Sequence, residues 1–252
     1  MRIAVDGTYF GVLPSLTSEP LIALAAGCGS QGLNWPFHPN FDMDDPAKVR
    51  RMLDDAGLGA VSIGLNNHSS AIPGSEAEWR DHVAKASEAA NILGTRVLDC
   101  WPRRMPEVAK ADAQATLRAN IEAVAPVLQS HEVVLSLEFE PDHTVERFPE
   151  AIEFIKPYAP YAGLTADSYH VFRIGDDLAA AGAALPPYLA ILHVSGSHRG
   201  EAGSEGDLCD HKAFIASARA AGYNGDLLLQ YGTKENHLAS LTRAVKFVQS
   251  II

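Results

Sequence analysis

The chain has 252 residues, of which 47% are hydrophobic and 20% are charged, and its formal net charge is −11. This composition is that of a globular protein with a large core, and a length near 250 residues suits two small domains or one barrel. The acidic balance argues against nucleic acid and anionic membrane surfaces as partners, because neither gains from counterion release here. We expect an uncharged small molecule as the ligand.

The start of the chain and its cysteines indicate a reducing compartment. The first residues run directly into a strand-like segment without a charged leader, so we do not expect export. The longest apolar stretches, around residues 21–28 and 178–185, are much shorter than the roughly 20 residues that span a bilayer. Cys28, Cys100 and Cys209 are odd in number and lie in no metal-binding spacing. The prediction is a cytoplasmic protein.

Short apolar segments alternate with helix-like segments along the chain, which favours a parallel sheet with helical crossovers. Strands are predicted over residues 3–6, 32–35, 60–64, 96–100, 133–138, 163–166, 189–194 and 226–230. Eight strands with right-handed crossovers predict an α/β fold, a single-domain (β/α)8 TIM barrel over residues 1–252. The carboxyl ends of all eight strands then lie on one face.

Local signals mark the helices between these strands. The Asp-Pro pair at residues 45–46 predicts a helix start, and Ser75 with Glu78 predicts another through a capping box. Gly94 predicts a helix end, and Pro126 is expected to kink or shorten the helix over residues 113–129. Apolar residues that recur at helical spacing predict two core-facing stripes: Trp79, Val83, Ala86, Ala90 and Leu93, and Leu238, Leu241, Val245 and Val248.

Polar residues follow four of the predicted strands: Glu138, Asp167, His193 and Gln230. In a closed barrel their side chains meet at one mouth. Carboxylate, imidazole and carbonyl oxygen are ligands of divalent cations, so the four predict a metal site. Taken alone, His193 is a hydrogen-bonded core histidine, but ligand-type residues on separate strand ends favour the metal.

Further polar and aromatic residues lie near these strand ends. His170 follows Asp167 by three residues, and the strand period of two places Glu140 on the same side as Glu138. His143, in the following loop, is either a solvated residue or the base that removes a proton next to a carbonyl. Candidates for lining the pocket are Asp6, Trp35, His38, Asn66, Asn67, His68, Asp99 and Trp101. Among these we predict substrate contacts from Trp35, His68 and Trp101, together with Glu140.

The order Glu, Asp-x-x-His, His and a final glutamate-like position resembles the xylose isomerase-like barrels. That superfamily includes sugar isomerases, ketose 3-epimerases, inosose dehydratases and endonucleases of abasic DNA. The segment over residues 193–203 is similar to the seventh-strand segment of ketose 3-epimerases; it reads His-Val-Ser-Gly-Ser-His-Arg-Gly-Glu-Ala-Gly. The resemblance implies that Mn²⁺ or another divalent cation is held by Glu138, Asp167, His193 and Gln230. It also implies that His170 and Arg199 contact the sugar.

Gln230 departs from this pattern, because the epimerases have there a glutamate that is both ligand and acid/base group. An amide takes no proton near neutral pH, so we favour a reaction that needs one strong base: proton abstraction by His143 followed by elimination. This combination is similar to the catalytic α subunits of bacterial C-glycoside deglycosidases. The similarity implies a keto sugar or 3-keto glycoside as substrate, Mn²⁺, and a small β subunit as partner.

Two other functions stay open. One is a ketose 3-epimerase or sugar isomerase that tolerates Gln230 and uses Glu138 with His170 or Glu140. The other is a barrel without activity that serves as a binding subunit, in which case a pure sample would hold no divalent cation.

Overall fold

The protein, here a computed structural model that describes residues 1–8, 16–65, 69–233 and 236–252, is built around eight parallel strands. They close into a barrel in chain order: β1 Ile3–Asp6, β2 Gly32–Pro36, β3 Gly59–Leu65, β4 Val97–Cys100, β5 Val134–Glu138, β6 Ala162–Asp167, β7 Leu189–Val194 and β8 Leu227–Leu229. No strand end differs from its predicted position by more than one residue. The predicted single-domain (β/α)8 barrel is confirmed.

Helices pack around the outside of this barrel. Those in the described ranges are α1 Ser18–Gly27, α2 Pro46–Asp55, α3 Glu76–Leu93, α4 Lys110–Ser130, α5 Phe148–Ile155, α6 Ser168–Arg173, α7 Leu178–Ala184, α8 His211–Ala220 and α9 His237–Ile251. None of the helices in this part of the chain combines the length and apolarity that crossing a bilayer requires. The strands and helices bury one continuous apolar core between them.

The predicted helix boundaries at Asp45 and Gly94 form as expected, whereas Ser75 and Pro126 do not have the predicted effects. The Asp45 carboxylate caps α2 by accepting from the Lys48 N–H at 2.9 Å, and Gly94 ends α3 with φ of 74°. Ser75 does precede α3, but its hydroxyl donates to Ile72 O, so the predicted capping box is wrong. The predicted shortening at Pro126 is also wrong, because α4 continues to Ser130. Pro126 lies on the exposed side of α4, where water can solvate the carbonyl that lacks a donor.

The apolar stripes of two helices face the core. Trp79, Val83, Ala86, Ala90 and Leu93 of α3 are all buried. In α9 the residues Leu241, Val245 and Val248 are buried, but Leu238 is 46% exposed and does not belong to the stripe. The core-facing stripe of α9 therefore begins at Leu241 among the predicted residues.

The interior of the barrel changes from apolar to polar along its axis. Ala4, Val61, Ile191 and Leu228 form a buried apolar layer. Two residues further along three of these strands stand Asp6, His193 and Gln230, on the same inner side because strand side chains alternate. The polar half of the interior is therefore at the carboxyl ends of the strands.

The barrel closes where β1 meets β8. The pairing register joins Ile3 to Leu227 and Val5 to Leu229. At the amino-terminal end of these strands the Arg2 guanidinium contacts the Asp226 carboxylate at 2.6 Å, and the Arg2 N–H donates to the same carboxylate at 3.0 Å. The first and last strands are thus held together by side chains as well as by their backbones.

Candidate active site

A buried hydrogen-bond network supports the site from below. The Asp99 carboxylate of β4 accepts from the Thr165 hydroxyl at 2.7 Å and from the Asn34 amide at 3.4 Å. The Asn34 amide also donates to Asp6 Oδ1 at 3.2 Å. All of these side chains are fully buried. Because the network joins β1, β2, β4 and β6, it fixes the positions of the polar side chains above it.

His193 lies between two carboxylates. Its Nδ1 is 3.3 Å from Glu138 Oε1, and its Nε2 is 3.1 Å from Asp99 Oδ2. Burial lowers the pKa of His193, but the Asp99 and Glu138 carboxylates outweigh burial and raise this pKa well above its usual value. The second oxygen of Glu138, Oε2, is buried and has no hydrogen-bond partner in the described part of the chain. Burial raises the pKa of Glu138 to about 7.

Asp167 ends β6 and caps α6. Its Oδ1 accepts from the Tyr169 N–H at 2.8 Å and from the Ser195 hydroxyl at 2.7 Å, and its Oδ2 pairs with the Arg199 guanidinium. Burial opposes ionisation, but Arg199 and nearby histidines outweigh it and hold the pKa of Asp167 below its usual value. The carboxylate is therefore charged and has a fixed orientation.

His170 completes a cluster of possible metal ligands. Glu138, Asp167 and His170 are all buried, and each offers one ligand atom within 4.8 Å of those of the other two. The His170 Nε2 is 3.3 Å from Glu140 Oε2 and 3.7 Å from Glu138 Oε1. Burial lowers the pKa of His170 to about 4, so its ring is neutral at neutral pH. Two carboxylates and a neutral imidazole suit a divalent transition-metal ion.

Arg199 joins Asp167 to Gln230. Its Nη2 donates to Gln230 Oε1 at 2.8 Å, its Nη1 donates to the Ser195 hydroxyl at 3.0 Å, and its guanidinium lies 4.9 Å from the centre of the Tyr169 ring. The Gln230 Nε2 is buried without a partner among the residues described. The carbonyl oxygen that Gln230 would offer to a cation is therefore bound by an arginine.

His143 and Glu140 form an ion pair beside the cluster. The His143 Nε2 is 2.9 Å from Glu140 Oε1, and its Nδ1 is 3.1 Å from Pro141 O. Both partners are acceptors, so both ring nitrogens act as donors and the ring is an imidazolium. Burial lowers the pKa of His143, but Glu140 and the Pro141 carbonyl outweigh burial and raise it. In this geometry His143 holds a proton that it can give away.

A pocket of about 520 Å³ opens at the barrel mouth above these groups. Its wall includes six of the predicted site residues: Trp101, Glu138, Glu140, His143, His170 and Arg199. The structure brings Asp167, His193 and Gln230 to the same mouth but buries them completely.

One of the predicted substrate contacts, Trp35, is not on the pocket wall. Trp35 is only 2% exposed, and its Nε1 donates to Phe41 O at 3.2 Å in the core. It faces outward because its neighbour Asn34 faces the barrel interior, so the structure places Trp35 in the core and not where the sequence predicted it. His68, like Asn66 and Asn67, lies outside the described residues.

The sequence reasoning missed the residues that hold the site from below, among them Asn34, Ser136 and Thr165. The Ser136 and Thr165 hydroxyls lie 2.6 Å apart and belong to the Asp99 network. Their signal is the strand period: Ser136 precedes Glu138 by two residues, and Thr165 precedes Asp167 by two. Once Glu138 and Asp167 are assigned to the barrel interior, the two-residue spacing therefore predicts that Ser136 and Thr165 face the interior as well.

The chain is similar to known proteins of one family. It matches the family described as xylose isomerase-like TIM barrel over residues 22–251. It is 28% identical over 121 residues to hydroxypyruvate isomerase of Escherichia coli K12, a match that covers 45% of this chain and only about half (46%) of that relative.

Three solved structures share the fold over almost the whole chain. The 3-keto-D-glucoside 4-epimerase YcjR of Escherichia coli has a TM-score of 0.84 at 15% identity and covers 99% of both chains. A D-psicose 3-epimerase has a TM-score of 0.85 at 16% identity over 100% of this chain and 99% of its own. The IOLI protein with a bound zinc atom has a TM-score of 0.75 at 14% identity over 100% and 96%. The match over residues 22–251, in a closed eight-stranded barrel, shows that this chain belongs to the xylose isomerase-like TIM-barrel family.

Proposed function

We propose that this protein is a divalent-metal-dependent lyase that acts on a keto sugar or 3-keto glycoside, as the catalytic subunit of a C-glycoside deglycosidase does. The observation that carries the proposal is the position of the His143–Glu140 ion pair, which lines one pocket with the buried carboxylate of Glu138. A proton acceptor and a proton donor thus face the same space. Elimination needs both: one group takes a proton from carbon and another protonates the departing group.

The donor set fits a divalent cation, with Mn²⁺ as our first choice. Glu138, Asp167 and His170 would hold it, since each offers a ligand atom within 4.8 Å of the others. His193 and Gln230, the other two ligands predicted from the sequence, would join them in exchange for their present partners Asp99 and Arg199. The closeness of three buried ligand-type side chains is the observation in favour of this fit. A bound cation would polarise the substrate carbonyl and stabilise the negative charge that develops on its oxygen.

The geometry favours a division of roles that differs from the sequence prediction, in which His143 was the base. Glu138 lines the pocket and its Oε2 has no hydrogen-bond partner among the described residues, so we assign proton abstraction next to the carbonyl to this oxygen. His143 already carries a proton on both nitrogens, so we assign it the donation to the leaving group. In a 3-keto glycoside the C2 proton goes to Glu138, the C1–aglycone bond breaks, and the aglycone takes the His143 proton.

A chain of side chains can restore the starting state. After one turnover Glu138 holds the extra proton and His143 lacks one. The His170 Nε2 lies 3.7 Å from Glu138 Oε1 and 3.3 Å from Glu140 Oε2, and Glu140 Oε1 contacts His143 at 2.9 Å. A small movement that brings Glu138 and His170 into hydrogen-bond distance would let the proton return to His143 through these side chains.

A ketose 3-epimerase or sugar isomerase fits the same groups about equally. The structural similarity to a 3-keto-D-glucoside 4-epimerase and a D-psicose 3-epimerase favours this second candidate. His143 would then protonate carbon from the opposite face instead of protonating an aglycone. Incorporation of solvent deuterium into recovered ketose, with no aglycone released, would select the epimerase or isomerase. A sample that binds no divalent cation after supplementation would select a binding subunit without activity.

The variant His143→Ala tests whether His143 donates a proton to the leaving group or removes a proton from carbon. With phenyl 3-keto-β-D-glucoside we expect His143→Ala to lower kcat/KM by about 100-fold or more, because the leaving phenoxide lacks a proton donor. With the 4-nitrophenyl compound the loss should be much smaller, since 4-nitrophenoxide leaves without protonation. Exchange of the C2 proton with D2O and the amount of bound metal should both be preserved.

The matched control is His131→Ala, which removes a histidine at the end of α4, away from the pocket. It should leave both substrates unaffected. Equal losses with both leaving groups, together with lost C2 exchange, would return the role of base to His143. Any requirement for a small β subunit would appear in the same assay as activity that depends on an added partner.

A further inference from the structure

The pocket separates its charges by depth. Its inner wall carries the carboxylates of Glu138 and Glu140, whereas its outer wall carries the exposed guanidinium groups of Arg103 and Arg173. Within the described residues Arg103 takes part in no ion pair. Arg173 approaches Asp142 only at 3.5 Å, and the Asp142 side chain is 84% exposed. A surface pair of this kind contributes little energy, so both guanidinium groups are available to a ligand.

The third arginine of the pocket is already engaged. Arg199 is bound to Asp167 and Gln230 and is stacked on Tyr169. A ligand that enters therefore meets two available cations at the mouth and the proton-transfer groups at the bottom. A pocket of about 520 Å³ is within the usual range for small-molecule sites and is large enough for a molecule that spans both.

We propose that the substrate carries a carboxylate or phosphate at the end remote from its carbonyl, and that Arg103 and Arg173 bind this anionic group. The arginine fork matches the planar geometry of a carboxylate and the oxygens of a phosphate. The proposal deepens the proposed function, on which it rests for the orientation of the carbonyl toward Glu138. It also replaces the uncharged ligand expected from the net charge of −11, because a ligand in the pocket meets the local field of its wall.

The experiment compares three ketoses that share the carbonyl end and differ only at C6: D-fructose, D-fructuronate and D-fructose 6-phosphate. Binding to the metal-loaded protein is measured by titration calorimetry, which requires no turnover. At low ionic strength we expect at least one anion to bind about tenfold or more tightly than D-fructose. Which anion binds more tightly identifies the group as carboxylate or phosphate. The preference should shrink as ionic strength rises past about 0.15 M.

Variants assign the preference to the two arginines. The double variant Arg103→Gln/Arg173→Gln should bind all three ketoses equally, whereas Arg51→Gln, which removes an exposed arginine of α2 outside the pocket, should keep the preference. Equal binding of all three ketoses to the wild type, or a preference that survives in the double variant, would overturn the inference. Anion preference without any elimination or C2 exchange would instead count against the proposed function alone.

Discussion

Arg199 is the residue whose position most affects the proposed metal site. Its backbone adopts φ of 58°, and its guanidinium binds Asp167 and Gln230 Oε1. These are atoms that a cation would also use, so cation and guanidinium compete for the same oxygen ligands. The neutral amide of Gln230 weakens this competition on one side, because it holds a guanidinium less strongly than a carboxylate would.

We expect Arg199→Met to raise the affinity for Mn²⁺ by roughly tenfold, since it removes a positive charge within contact distance of the ligands. Methionine retains much of the length of the side chain and its contact with Tyr169. Affinity is measured by titration calorimetry on the metal-free protein. Arg173→Met is the control, because Arg173 contacts none of the proposed ligands and should leave the affinity unchanged. An unchanged or weaker affinity in Arg199→Met would show that the guanidinium does not compete.

At the residue scale the sequence predicted the strand-end groups well. Glu138, Asp167, His193 and Gln230 are found together because each ends an apolar run that could only be a buried strand. The direction of each side chain was harder to predict, because a barrel strand is buried on both faces and shows no polar side. Trp35 was therefore assigned to the pocket, whereas its neighbour Asn34 faces the interior. The Arg199–Gln230 contact depends on loop geometry that no spacing reveals.

The loop between β7 and α8 carries Arg199 and is organised by one carboxylate. Asp207 accepts from the N–H groups of Ser197 and Gly203, both at 2.8 Å, and from His211 Nε2 at 2.8 Å. It also accepts from the Cys209 N–H at 3.0 Å. Burial opposes ionisation, but these donors outweigh burial and hold the pKa of Asp207 far below its usual value. The ionised Asp207 carboxylate thus stabilises the conformation of the loop that positions Arg199.

We expect Asp207→Asn to lower the free energy of unfolding by about 2–4 kcal/mol at pH 7, because the amide NH2 group faces donors that the carboxylate oxygen accepted from. Since the folded pKa of Asp207 is depressed, its stabilisation is complete above the unfolded pKa of about 4 and is lost as pH falls below it. The difference between wild type and variant in urea unfolding should therefore shrink below about pH 4. Asp210→Asn, which changes a helix cap nearby, controls for general loss of charge. A difference that stays constant with pH would contradict this role.

Helix boundaries followed from the sequence where a single local interaction decides them. Asp45 and Gly94 act through their own side chain or backbone, so their signals were read correctly. Ser75 has two alternative acceptors, Ile72 O and Ser69 O, which only the folded loop brings within reach. Pro126 is tolerated because Val124 and Leu128 anchor α4 in the core on either side of it. Tertiary contacts thus determine both the hydrogen bond of Ser75 and the continuation of α4 past Pro126.

We expect closure of the barrel to make the molecule one cooperative unit in unfolding. Asp226 holds Arg2 across the β1–β8 seam, at the end of the barrel opposite the mouth. We expect Asp226→Ala to lower the free energy of unfolding by about 1–2 kcal/mol, with a single transition seen by both far-UV circular dichroism and tryptophan fluorescence. Ligand and metal binding should not change, because residues at this face of a barrel contribute to stability. Two separate transitions, or a loss of metal binding, would argue against a single closed unit.

At the scale of the whole molecule, composition predicted a large core, and the alternation of strand-like and helix-like segments predicted the sheet architecture. They did not predict the local charge of the pocket, because a sum over 252 residues averages the surface. Arg103 follows β4 and Arg173 ends α6, and the closed barrel places both on the wall of one pocket. The charge of the pocket wall therefore depends on which parts of the chain the fold brings together.

The apolar layer of Ala4, Val61, Ile191 and Leu228 lies under the polar half of the barrel and is almost completely shielded from solvent. This layer closes the lower end of the barrel in the described part of the chain, so we expect water to reach Glu138 through the mouth. A substrate seated there occupies that one entrance. We then expect a hydrogen isotope abstracted from carbon to return to the same substrate molecule more often than it exchanges with solvent. The fraction of isotope retained would report how completely the bound sugar excludes water.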